Sequence, residues 1–262
     1  MIRITYSKDI PPITYLSSMF ELFYLIPIFF VIAFVYSSVG LGGGSSYLAV
    51  LSLMSLPFVY LRMIALICNI VVVSSSVVLF DKHNYLRWRK IIPLILLSLP
   101  LAYLGGRLKL DARFFYLLLG GSLIIGAILM LLDIRKKSYK LPKYSNAVIG
   151  GGIGFLSGVV GIGGGVFLSP ILHLTNWAKP KTIAATTAAF ILVNSTAGLL
   201  GQVHTNGFQL DWPYVIGLVV AVILGSQLGV RLTIHKLNPK GVRRVTAVVI
   251  LLVAIRLLLK NL

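Results

Sequence analysis

Gly42, Gly43 and Gly44, followed by Ser45, and a second run, Gly163, Gly164 and Gly165, are the residues whose types and spacing could do chemistry. Each run lies inside a long apolar stretch. The cores Gly40-Leu-Gly-Gly-Gly44 and Gly161-Ile-Gly-Gly-Gly165 stand 121 residues apart, close to half of a 262-residue chain. A helix that breaks at glycine and restarts exposes amides with no intrahelical partner. Its dipole places about half a positive charge at the new end. With no Cβ in the way, a ligand can reach those amides. Two such ends facing each other would hold a small anion without a basic side chain. Ser45 can cap the restarted helix or offer its hydroxyl. Asn69, Thr187 and Asn194 are uncharged donors inside neighbouring apolar runs, and polar groups in a span face the bundle interior. The chemistry is binding and release, because weak neutral donors let an anion leave as readily as it enters.

These residues need elements to position them. Apolar stretches lie near 22–56, 58–80, 91–106, 113–132, 146–174, 182–201, 212–230 and 242–259. A helical span takes about 20 residues, so the chain reads as an all-α integral membrane protein. The duplication extends to Leu104-Gly-Gly-Arg-Leu108 and Leu228-Gly-Val-Arg-Leu232, and Ala65 can be set against Ala184 or Ala185. The expected organisation is an N-terminal extension (1–21), a first repeat (22–132), a basic cytoplasmic linker (133–145) and a second repeat (146–262). As one straight helix, residues 146–174 would measure about 43 Å against a hydrocarbon core of about 30 Å. Two half-helices of about 20 Å meeting at the glycines fit better. Each half is then a re-entrant, glycine-broken hairpin plus three transmembrane helices.

Loop charge supports the hairpins. If each glycine segment leaves on the side it entered, Lys and Arg divide 16 to 7 across the membrane. If each crosses, they divide 12 to 11, with Arg256 counted as intramembrane. The positive-inside rule favours the first arrangement. A hairpin plus three crossings reverses direction, so the halves are expected to be inverted repeats.

Composition agrees. Hydrophobic residues make up 58% of the chain and charged residues 11%, with a mean hydropathy of +0.95; a soluble domain does not carry that apolar fraction. The net charge of +18 sits in short loops such as Arg87-Trp-Arg-Lys90 and Arg135-Lys-Lys137. That pattern indicates cytoplasmic loops facing anionic lipid and no nucleic-acid partner. A single cysteine, Cys68, excludes an internal disulfide and a multi-cysteine metal site, and it reads as a small buried hydrophobe. Glu21, Asp81, Asp111, Asp133 and Asp211 fall at span ends or in loops, so no side-chain carboxylate is an obvious proton relay and no hydrolytic triad can be assembled. Gly42–Gly44 lack the Lys-Ser/Thr of a phosphate loop. Gly150, Gly154 and Gly158, spaced by four, read as a packing face. Arg62 is expected to snorkel to an interface. No cleavable leader is evident, and neither a cofactor nor a metal is expected.

At these residues the chain resembles the sulfite exporter TauE/SafE family, also called the toluenesulfonate uptake permease family. The second-half pattern Gly161-x-Gly-Gly-Gly165 with Pro170 and Leu172 carries the resemblance, with the two Leu-Gly-x-Arg-Leu elements. The first half keeps Gly40-x-Gly-Gly-Gly44 and Leu51 but has Ala49 where the family-like proline would fall. The resemblance implies transport of sulfur-containing anions (sulfite, thiosulfate, sulfonates) across the cytoplasmic membrane. The expected function is therefore a secondary transporter of a small sulfur oxyanion or sulfonate, working by alternating access. A passive anion channel is the alternative, with a membrane scaffold or enzyme behind it. The expected partners are that anion and the lipid bilayer, with a homo-oligomer left open beside the monomer. The site expected is Gly42, Gly43, Gly44, Ser45, Asn69, Gly163, Gly164, Gly165, Thr187 and Asn194.

Overall fold

A computed structural model describes residues 15–38, 40–54, 56–131, 145–208, 210 and 212–235, with 247–248, 251–252, 254–255 and 258–259. The described residues form helices and connecting turns: α1 (Tyr15–Ser37), α2 (Gly44–Leu51), α3 (Phe58–Lys82), α4 (Trp88–Arg107), α5 (Ala112–Leu131), α6 (Ser145–Val160), α7 (Gly165–Leu174), α8 (Pro180–Asn206) and α9 (Trp212–His235). Five of them, α3, α4, α5, α8 and α9, are long and apolar enough to cross a membrane. The stretch expected at 242–259 lies largely outside the described residues.

Both glycine segments reverse the chain. The rings of Phe29 in α1 and Tyr47 in α2 stack with centroids 4.7 Å apart. Had the helix run straight on, those residues would be about 27 Å apart. In the second half, a Cβ on Gly164 would come within 2.8 Å of Ile153 and 3.4 Å of Ser157, both back along α6. The arms are unequal, however. The entering arms α1 and α6 have 23 and 16 residues, whereas the returning arms α2 and α7 have 8 and 10. The expected pair of equal half-helices is thus a long arm and a short one. Each short arm stops ahead of a proline that starts the next long helix, Pro57 at the N-cap of α3 and Pro180 at the first turn of α8.

α3 and α8 form the centre, with 56% and 72% of their span windows buried against 33–50% for the other long helices. They run antiparallel. Gln202 Nε2 reaches the Val59 carbonyl, Gly198 lies against Leu66, and Ser195 pairs with Asn69. α4 packs on α6 and, in the same relation, α9 packs on α1. The expected packing face is real: Gly150, Gly154 and Gly158 abut the backbone of α4 at Leu94, Ser98 and Ala102, leaving no room for a Cβ. In the other half the close approach comes from α9, where Gly225 and Gly229 abut the carbonyls of Phe30 and Phe34.

Candidate functional site

The backbone at the two helix starts has nearly the same angles, although Gly163 has positive φ and its counterpart Gly42 does not. Gly43 caps α2 at φ 87, ψ 0, and Gly164 caps α7 at φ 80, ψ −7. Gly40, Gly161 and Gly163 also have positive φ. An L residue is strained in this left-handed region, which explains the repeated glycines. Ala49 stands where the other half has Pro170, yet both reversals form, so the proline does not shape them.

Neither restarted helix is capped by the side chain of its own N-cap residue, which is glycine in both. Ser45 does not cap α2; its Oγ is buried without a hydrogen-bond partner. Among the described residues, the amides of Gly42, Gly43 and Ser45 at the first break form no hydrogen bond. The same holds for those of Gly163, Gly164 and Gly165 at the second. Buried amides are nearly always paired, so two clusters of free donors inside one bundle are unusual.

The breaks meet. A Cβ on Gly44 would touch the Ile162 carbonyl at 3.1 Å, and one on Gly165 would touch Leu41 at 3.3 Å. These contacts are related by the internal two-fold, as are several others. Gly40 lies on Ala184 as Gly161 lies on Arg62. Gly44 lies on Asn69 as Gly165 lies on Ile191, and Gly42 on Val73 as Gly163 on Ser195. The central helices are therefore related by a shift of 122 residues. In this register Ala184 answers Arg62, not Ala65.

The pairing exposes the asymmetry of the site. Where one half offers Asn69 and Val73, the other offers Ile191 and Ser195. Asn69 Oδ1 accepts from the Gly44 amide at 3.2 Å, and its Nδ2 donates to Ser195 Oγ at 2.9 Å. The carboxamide also fills the space that a Cβ on Gly42 or Gly163 would need. One side chain thus touches both breaks and ties α3 to α8. It stands twelfth of the 25 residues of α3, near mid-length.

A narrow crevice, too tight to admit a water molecule, lies between the breaks. Of the expected residues, Gly42, Gly43, Gly44, Gly165 and Asn69 line it. Gly163 adjoins it through Asn69, and Gly164 packs away from it on Ile153 and Phe190. Ser45, Thr187 and Asn194 are buried but do not line it. Asn194 Nδ2 bonds back to the Phe190 carbonyl at 2.9 Å while its Oδ1 has no partner, and Thr187 Oγ1 has none either. The crevice wall also includes Tyr36, whose hydroxyl pairs with Ser46 Oγ. Sequence reasoning passed over Tyr36 because tyrosine in an apolar run looks like core; its place one turn before the glycines was the available signal.

Arg62 departs from expectation. It is 1% exposed and does not reach an interface. Its Nη2 donates to the Gly158 carbonyl at 2.9 Å, its stem packs against Gly161, and its guanidinium lies 5.9 Å from the centre of the Phe115 ring. Covering by α6 and α5 keeps it from snorkelling. A buried cation therefore sits beside the second break, on the same face of α3 as Asn69 and seven residues before it.

A multi-pass helical bundle built from two copies of one broken-helix unit, with the breaks meeting near mid-length of the central helices, has the architecture of a membrane transporter. The family model described as "Sulfite exporter TauE/SafE" matches residues 25–257. The chain belongs to that family, as the glycine cores and Leu-Gly-x-Arg-Leu elements led us to expect, and it is a multi-pass membrane transporter. It is 32% identical over 238 residues to "Probable membrane transporter protein y4hK" of Sinorhizobium fredii, covering 88% of this chain and 95% of that protein. It is 28% identical over 247 residues to "Probable membrane transporter protein MJ0441" of Methanocaldococcus jannaschii, covering 86% and 92%. No solved structure matches the chain.

Proposed function

We propose that the protein carries a small sulfur-containing anion, sulfite or a related oxyanion or sulfonate, across the cytoplasmic membrane by alternating access. The observation that carries this reading is the pair of glycine-capped helix starts, α2 and α7, opposed across one crevice with free amides on both sides. Their dipoles favour a negative ligand. Asn69 Oδ1 already supplies an acceptor to the Gly44 amide. In this reading it stands in for the anion's oxygen and gives way when the anion arrives. The family description supplies the substrate class, and the geometry of neutral donors is compatible with it.

The crevice is closed, so loading requires the two halves to part. The antiparallel run of α3 and α8 supports halves inverted across the bilayer, and rocking of one on the other would then open the crevice to either side in turn. With the basic loops placed inside, the Arg87–Lys90 loop and the loop carrying Lys179 and Lys181 face the cytoplasm. The test is uptake of radiolabelled sulfite, thiosulfate and sulfate into proteoliposomes, with and without a pH gradient. Saturable uptake with counterflow exchange supports a carrier, and unsaturable conductance supports a channel. Indifference to every sulfur anion overturns the substrate.

A further inference from the structure

The crevice offers only neutral donors, yet a full positive charge lies buried two turns away. Arg62 is enclosed by α3, α6 and α5, and it forms no ion pair with a carboxylate among the described residues; the acids Asp81 and Asp111 are exposed. Among the described residues its guanidinium donates to Gly158, in the last turn of α6, and its Nε is buried without a partner. The α6 terminus and the Phe115 ring offset part of the charge. A buried cation left uncompensated is costly. The two-fold counterpart of Arg62 is Ala184, which sits against Gly40 in the same way. Closing the fold at this position therefore does not require an arginine.

We infer that Arg62 is the fixed charge that makes this crevice select anions and favour the more highly charged ones, acting through space along the Asn69 face of α3. It does not touch the ligand; the guanidinium points to α6, so it is a specificity-determining residue rather than a binding one. This inference rests on the anion-carrier reading above. Seven residues along a helix separate the backbones of Arg62 and Asn69 by about 10 Å, which sets the scale of the distance between the charge and the crevice. At an effective dielectric near 20, with about half of the charge offset by the α6 terminus, its field is worth about fourfold in affinity for a monoanion. A second charge on the ligand doubles the energy and squares the factor, to about 16-fold.

The full chain in proteoliposomes tests this, with thiosulfate as dianion and methanesulfonate as monoanion, each read as the concentration that half-inhibits labelled-anion uptake. Arg62→Gln removes the whole charge while the α6 terminus stays, so it should raise that concentration about 250-fold for thiosulfate and about 16-fold for methanesulfonate, while Arg62→Lys keeps both near wild type. Should Arg62→Gln not fold, Phe115→Glu neutralises the guanidinium in place and should give the same charge-graded loss. An equal shift for the two anions, or loss in Arg62→Lys to the same degree as in Arg62→Gln, means that Arg62 only holds α6 and overturns the inference while leaving the carrier intact. A wild-type protein that neither moves nor is inhibited by any anion overturns both.

Discussion

Asn69 of α3 and Ser195 of α8 are joined at 2.9 Å in the middle of the bundle, and the same carboxamide caps the start of α2 through Gly44. The two residues are not two-fold mates. Each replaces an aliphatic residue of the other half, so the bond exists only because the duplicated units have diverged.

Asn69→Leu should abolish uptake while the protein still inserts, because it removes the acceptor at Gly44 and fills the crevice. Ser195→Ala removes one interhelical bond, worth about 0.6–1.7 kcal/mol in a membrane bundle, and should lower the thermal midpoint slightly with uptake reduced but present. Wild-type uptake by the leucine variant would count against the site.

Gly43→Ala and Gly164→Ala each place a Cβ at positive φ. Each should cost about 1–2 kcal/mol from the left-handed backbone alone. Gly164→Ala should cost slightly more, since its Cβ would meet Ile153 at 2.8 Å where that of Gly43 would meet Ile32 and Tyr47 at 3.0 Å. Thermal unfolding in detergent checks the order, and a neutral Gly164→Ala would contradict it.

Packing and site glycines should separate from idle ones. Gly158→Ala drives a methyl into the Ala102 carbonyl and should destabilise by more than about 2 kcal/mol. Gly152, with nothing within 4 Å of its would-be Cβ, should accept alanine neutrally or with a gain of up to about 1 kcal/mol. Equal effects at the two positions would mean that α4 and α6 are not in close contact.

Cys68 is buried and unpaired. Cys68→Ala should keep uptake, and in that background single cysteines at His83 and Gly207, at the ends of α3 and α8, should react with an impermeant maleimide from opposite sides of the membrane. Labelling of both from one side would rule out inverted halves.

Much of this architecture could be read along the chain. Apolar runs longer than a bilayer is thick, interrupted by glycine at one repeated spacing, leave few solutions, because bare backbone in lipid must be enclosed by protein. The reversals at Gly43 and Gly164, the packing face at Gly150–Gly158 and the family follow from that. Arm lengths were less accessible, since Pro57 and Pro180 mark where the next helix starts and not how far the glycine turn penetrates.

Which polar residues face the crevice could not be read in advance. Asn69, Asn194 and Thr187 look alike in a linear string, as uncharged groups in apolar helices. Asn69 reaches both breaks, while Asn194 turns back to its own helix at Phe190. Arg62 looked like an end-of-span cation until α6 and α5 were seen to cover it. Composition and spacing act locally and set which segments are helices and where they must bend. Partners across the two-fold depend on the rotation of α3 against α8, and that is fixed by the sum of contacts over the whole bundle.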